Sequence, residues 1–210
     1  MFFLGFDTVS TCLTLAVYHL ALNPDIQEKL YNETMATLRQ ISTERKEKSN
    51  ESDQNDDPYK LVTYDNLSRF EYIAAVIDEA LRIESPAMYM ERRVSQNMEL
   101  SNSDGSIKFN VKKGDMLHFP LYSIHRDSRY FYDPERFIPE RFLNEPEYHK
   151  YAYLPFGLGP RKCIAKGMAL LEARLALLHV ILNFRFEAIS QTKVYIFRIL
   201  LLLLILIILF

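Results

Sequence analysis

Apolar and polar residues alternate along this chain in blocks that read as helices first and short strands second. Residues 1–22 are largely apolar, MFFLGFDTVSTCLTLAVYHLAL, and predict a buried helix. Pro24 cannot continue that helix but suits the first turn of another, with Asn23 as its N-cap. The second helix should run from 24 to about 41, with Ile26, Leu30, Met35 and Leu38 on an approximate stripe. Residues 42–57, STERKEKSNESDQNDD, hold almost nothing apolar and predict a mobile solvated loop. Ser68-x-x-Glu71 has the form of a capping box opening a helix whose apolar face is Ile73, Val76, Ile77 and Ala80. Glu79 and Arg82 lie off that face, three apart. Spacing alone makes them a surface ion pair worth under about 1 kcal/mol.

Beyond Pro86 the period shortens. Residues 98–119 predict strands, with Asp104-Gly105 turning a hairpin and Lys113-Gly114 marking a second turn before Met116–Phe119. A helical turn is expected from Pro120 to about Arg126. Residues 133–155 are rich in aromatics and proline and lack a period, so they predict an ordered coil packed by Phe137, Phe142, Tyr151 and Tyr153. Ile164, Met168, Leu171, Leu175, Leu178 and Leu182 then keep helical spacing and predict a long helix with one buried face. A strand over Asn183–Ala188 should follow. The fold class is mainly α with small β-hairpins, an α+β arrangement without internal repeats.

Composition changes this picture little. A net charge of −2 over 210 residues gives no basic surplus, so a nucleic-acid partner is excluded. The two cysteines, Cys12 and Cys163, stand in unlike contexts, which fits a reducing compartment better than a disulfide framework. Asp7 and the lack of a preceding basic residue argue against a signal peptide at the start. Residues 199–210 are all Leu, Ile or Phe. That run falls short of the roughly 20 residues that cross a bilayer. Extended back to Val194 it includes Arg198, which can snorkel to an interface. Two units are therefore expected: 1–193, and an apolar tail, 194–210, read as an anchor or a non-native terminus.

The densest chemistry lies in Phe156–Ala165, FGLGPRKCIA. Gly157 and Gly159 release the backbone to positive φ, Pro160 stiffens the turn, and Cys163 falls where a helix should begin. Helix N-termini favour a thiolate, so the residues alone leave a nucleophile, a redox sensor, a metal ligand or an inert buried thiol open. His118, His125 and His179 lack metal-ligand spacing and read as structural or surface residues, and Cys12 reads as core.

The spacing Phe156-Gly157-x-Gly159-x-Arg161-x-Cys163-x-Ala165 resembles the haem-binding signature of the cytochrome P-450 family, the haem-thiolate monooxygenases. Three further segments match in order. Gly5-Phe6-Asp7-Thr8 resembles the oxygen-activation segment, Glu79-Ala80-Leu81-Arg82 the ExxR pair, and Pro139-Glu140-Arg141-Phe142 the PERF segment. The departures are Leu4 for a small residue, Val9 for a hydroxyl residue and Ala165 for glycine. The resemblance implies haem ligated through Cys163, with Phe156, Gly157, Gly159 and Ala165 around the sulfur. It gives Arg161 and Arg92 to the haem propionates, with Arg93 competing for the second place. Glu79, Arg82 and Arg141 become a buried charge triad fixing the loop, and Thr8 with Asp7 a proton-delivery pair. It further implies O2 and a small apolar substrate, an NADPH-dependent reductase as electron donor, and the cytosolic face of the endoplasmic reticulum membrane. The match corresponds to the C-terminal part of such an enzyme. Lacking the other half of the pocket, the chain is expected to bind haem weakly and turn over little. The alternative is a catalytically inactive, truncated protein held at a membrane by its apolar tail.

Overall fold

A computed structural model describes residues 2–49, 57–144, 148–190 and 192. Four helices build the core: α1 (Phe2–Leu22), α2 (Pro24–Ser49), α4 (Glu71–Ile83) and α6 (Lys166–Asn183), with short α3 (Pro58–Leu61) between the second and third. Leu20, Leu30, Ile73, Val76, Ile77, Leu177 and Leu178 meet there, fully buried. Each such aliphatic side chain contributes about 1.5–3 kcal/mol by leaving water. Two antiparallel pairs flank the helices. Strand β2 (Met98–Ser101) pairs with β3 (Lys108–Val111) as the expected hairpin, turned by Gly105 at φ 71°. Strand β1 (Met90–Arg93) pairs with β4 (Met116–Phe119), a long-range pairing that the local pattern does not announce. Helix α5 (Leu121–His125) is the turn expected after Pro120.

Several expectations are corrected. Helix α2 does not stop near residue 41 but continues through Ser49. Glu44, Arg45, Lys46 and Glu47 are good helix formers. Glu44 also takes a bidentate pair from Arg69, at 2.7 and 2.8 Å. The remainder of the expected loop, 50–56, lies outside the described residues, as do the tail from 193 and residues 145–147. Asn23 caps backward: its side-chain amide donates to the His19 carbonyl at 2.8 Å. The capping box does not form, because Leu67–Arg69 close a 3-10 turn held by buried Leu67 and Phe70, and α4 starts at Glu71 without a side-chain cap.

Helix α4 is buried on both sides, since residues 136–141 cover the side that bears Glu79 and Arg82. The pair is thus at 0% exposure, not on the surface. In α6 the buried positions are Ala173, Leu177, Leu178 and Ile181, while Ile164 and Met168 stand clear of the core. Leucines occur on several sides of this helix, so spacing alone could not choose the inner one. Residues 184–189 form no strand; instead the buried Gln27 amide bonds both backbone groups of Phe186, at 2.8 and 2.9 Å. Tyr151, expected inside the coil, is exposed, whereas Phe137 is buried and Phe142 contacts Tyr153.

Candidate functional site

The cysteine loop is built from local backbone hydrogen bonds that two glycines permit. The Leu154 carbonyl accepts the Gly157 N–H at 3.0 Å, and the chain then passes through left-handed backbone at Gly157 (φ 70°) and Gly159 (φ 77°). Any side chain would be strained at both positions. At Gly157 a Cβ would also come within 3.1 Å of Met90 Sδ, because β1 lies beneath the loop. A 3-10 turn over Gly159–Arg161 follows, and the Cys163 N–H closes the loop onto the Phe156 carbonyl at 2.8 Å. Helix α6 begins at Lys166 after Ala165 at the N-cap position, with no side-chain cap, so Cys163 precedes the helix by three residues and spends its own N–H inside the loop. The expected helix-start placement is corrected accordingly.

Cys163 is a free, exposed cysteine. Around it stand exposed apolar side chains: Leu158 at 51%, Ile164 at 97% and Met168 at 57% exposure. Phe156 packs partly into the core, with Lys166 Nζ 5.5 Å from its ring. Arg161 and Ala165 are exposed beside the cysteine, and Arg92 is half-buried on β1, donating to the Glu91 carbonyl at 2.7 Å. A soft sulfur, an apolar surround and a planar cation are groups that fit a flat, apolar molecule carrying a metal and acidic substituents.

Behind the loop, Glu79, Arg82 and Arg141 come together without solvent. Arg82 grips Glu79 bidentately at 2.7 and 2.9 Å, and Arg141 Nε donates to Glu79 Oε1 at 3.1 Å. The Ile138 N–H adds a fourth donor to the carboxylate at 2.8 Å. Arg82 also donates to the carbonyls of His125 (2.8 Å) and Arg136 (3.2 Å), and Arg141 to that of Asp133 (3.0 Å). Burying a charge is costly unless it is paired and hydrogen-bonded, and Glu79 meets that condition with four donors. The cluster ties α4 to the 3-10 turn at Pro139–Phe142 and to the chain leading into it.

Thr8 and Asp7 lie on the exposed side of α1. Thr8 Oγ1 donates back to the Gly5 carbonyl at 3.4 Å, the ordinary habit of a threonine inside a helix. Cys12, on the inner side, is held as a neutral thiol, its pKa pushed up to about 12 by burial and by the nearby Asp78 carboxylate. His118 sits across from Glu91 at 3.2 Å, and His179 stacks on Tyr59 at 4.9 Å. His125 is different: it is wholly buried, and its Nε2 accepts the Leu154 N–H at 3.0 Å. Among the described residues no group of three or more His, Cys, Asp or Glu could hold a metal ion.

Comparison with known proteins gives a consistent result. The family model described as "Cytochrome P450" matches residues 1–206. Curated relatives include "Probable cytochrome P450 9h1" of Drosophila melanogaster, 34% identical over 192 residues, covering 91% of this chain and 34% of the relative. "Cytochrome P450 9e2" of Blattella germanica is 34% identical over 195 residues, covering 92% and 33%. "Cytochrome P450 3A5" of Homo sapiens is 34% identical over 194 residues, covering 91% and 34%. The chain therefore spans about a third of the length of the curated relatives it matches.

Proposed function

The chain belongs to the cytochrome P450 family, and from that premise we propose that Cys163, as a thiolate, is the residue that would hold the iron of a haem. The single observation that carries the reading is an exposed cysteine on a loop with two positive-φ glycines, ringed by exposed apolar residues. When bound, haem would supply the oxidative chemistry, and the Cys163 thiolate would lend it electron density. The chain's own residues do the rest. Gly157 and Gly159 let the backbone lie close to a flat group, and Phe156 shields the sulfur. Arg161 and Arg92 pair with acidic substituents through planar, charge-assisted bonds. Ile164 and Met168 exclude water from the same surface. On α1, Thr8 with Asp7 holds and passes protons at its hydroxyl.

The whole protein is thus a monooxygenase that places one atom of O2 in a small apolar substrate, with electrons from an NADPH-dependent reductase. Its place is the cytosolic face of the endoplasmic reticulum. Among the described residues no helix is long and apolar enough to cross a membrane.

Haem titration followed by absorbance tests the site. Cys163→Ser should weaken haem binding and change the spectrum, whereas Arg161→Ala should lower affinity by about tenfold, the loss of one charge-assisted bond, with the spectrum kept. Equal affinity and identical spectra for Cys163→Ser and the unaltered chain would contradict the assignment.

A further inference from the structure

His125 lies outside the four segments that mark the family, yet it touches the cysteine loop at its root. Its backbone carbonyl accepts Arg82 Nη1 at 2.8 Å, and its ring Nε2 accepts the Leu154 N–H at 3.0 Å. Leu154 in turn presents its carbonyl to the Gly157 N–H at 3.0 Å, and Phe156 presents its own to the Cys163 N–H at 2.8 Å. A continuous line of hydrogen bonds thus runs from the Glu79–Arg82 pair, through one imidazole, to the backbone of the cysteine. A second contact supports the same strand of chain: the Tyr153 hydroxyl is 2.9 Å from both the Asp78 carbonyl and an Asp78 carboxylate oxygen.

The other ring nitrogen is the telling detail. His125 Nδ1 is buried and has no hydrogen-bond partner. Because Nε2 must offer a lone pair to Leu154, the proton of the neutral ring sits on Nδ1, where it is unmet. A leucine or phenylalanine would fill this space without the penalty of an orphaned donor. An imidazole held there at full burial is explained by its acceptor.

We propose that His125 is a positioning residue for the cysteine loop, its neutral ring fixing through Nε2 the Leu154 peptide from which the Phe156–Ala165 turn hangs. The consequence for cofactor rests on the haem-ligand reading of Cys163; the pin itself does not. Hydrogen exchange read by mass spectrometry on the cofactor-free 210-residue chain separates the two.

In His125→Leu, peptides covering 152–163 should exchange about tenfold faster while those within α4 stay unchanged. His125→Gln, whose Oε1 can stand near the place of Nε2, should restore protection to within about threefold of the unaltered chain. His125→Asn, whose acceptor falls short, should behave as the leucine variant does, and it replaces that variant if leucine prevents folding. Gln and Asn variants exchanging alike, or loop and α4 loosening together, would overturn the pin. Haem titration of the same variants should rank them in the same order. A chain that keeps the exchange pattern but takes up no haem would sink the haem reading and leave the pin standing.

Discussion

At the scale of single residues, the interior of this protein is organised around charge. Glu79, at 0% exposure, is met by four donors, and the geometry they impose extends to Ile138 and Arg141. Two imidazoles share that interior and neither is charged at neutral pH. Burial, with Arg82 and Arg126 adding to it, lowers the pKa of His125 to about 4. His19, stacked on Phe137 at 4.8 Å, is likewise lowered to about 4 by burial and then by Arg126 and Arg82. The unfolded chain therefore binds protons that the folded chain refuses. Stability is full above the unfolded value of about 6.5 and falls as the pH drops from there toward 4, by up to about 3 kcal/mol for each histidine. Urea titrations at pH 7.5 and pH 5 should show this loss; equal midpoints would exclude it. Residue identity alone could not reveal this. The ExxR spacing is common, and only the covering chain at 136–141 turns a surface pair into a buried one.

Among elements, the helices and the local hairpin were legible and the long-range strand pairing was not. The bounds of α1 and the inner side of α4 follow from the apolar pattern, as does the β2–β3 hairpin from Asp104-Gly105. Strand β1 eluded the pattern because its partner β4 lies beyond another hairpin, and its burial alternates too weakly to mark a face. The strand expected at Asn183–Ala188 has apolar alternation but no partner strand among the described residues, and Gln27 supplies the hydrogen bonds of Phe186 in place of a neighbouring backbone. Gln27→Leu should therefore unpair the part-buried Phe186 backbone and cost about 1 kcal/mol, the net worth of ordinary hydrogen bonds whose backbone groups water can partly reach. Limited proteolysis should then cut first near residues 184–189. Unchanged stability and an unchanged cleavage pattern would show that the clamp contributes nothing.

For the molecule as a whole, the order of segments along the chain said more than any of them alone. Gly5–Thr8, Glu79–Arg82, Pro139–Phe142 and Phe156–Ala165 fall on four different elements, and folding brings two of them, the ExxR helix and the PERF turn, into one buried cluster. The cysteine loop hangs from that cluster through His125 and Leu154, with its thiol and apolar side chains turned outward. What the sequence left open, between nucleophile, sensor, metal ligand and inert thiol, narrows because Cys163 is neither buried nor at the helix start. The most direct test of its role is the difference spectrum of the reduced chain on adding carbon monoxide, recorded with excess haem for the unaltered protein and for Cys163→Ser. The account predicts a weak long-wavelength Soret band of a thiolate-ligated haem, developed only with the excess haem because the chain binds it weakly, in the first, and its loss in the second. The same band in both, or in neither, would contradict it.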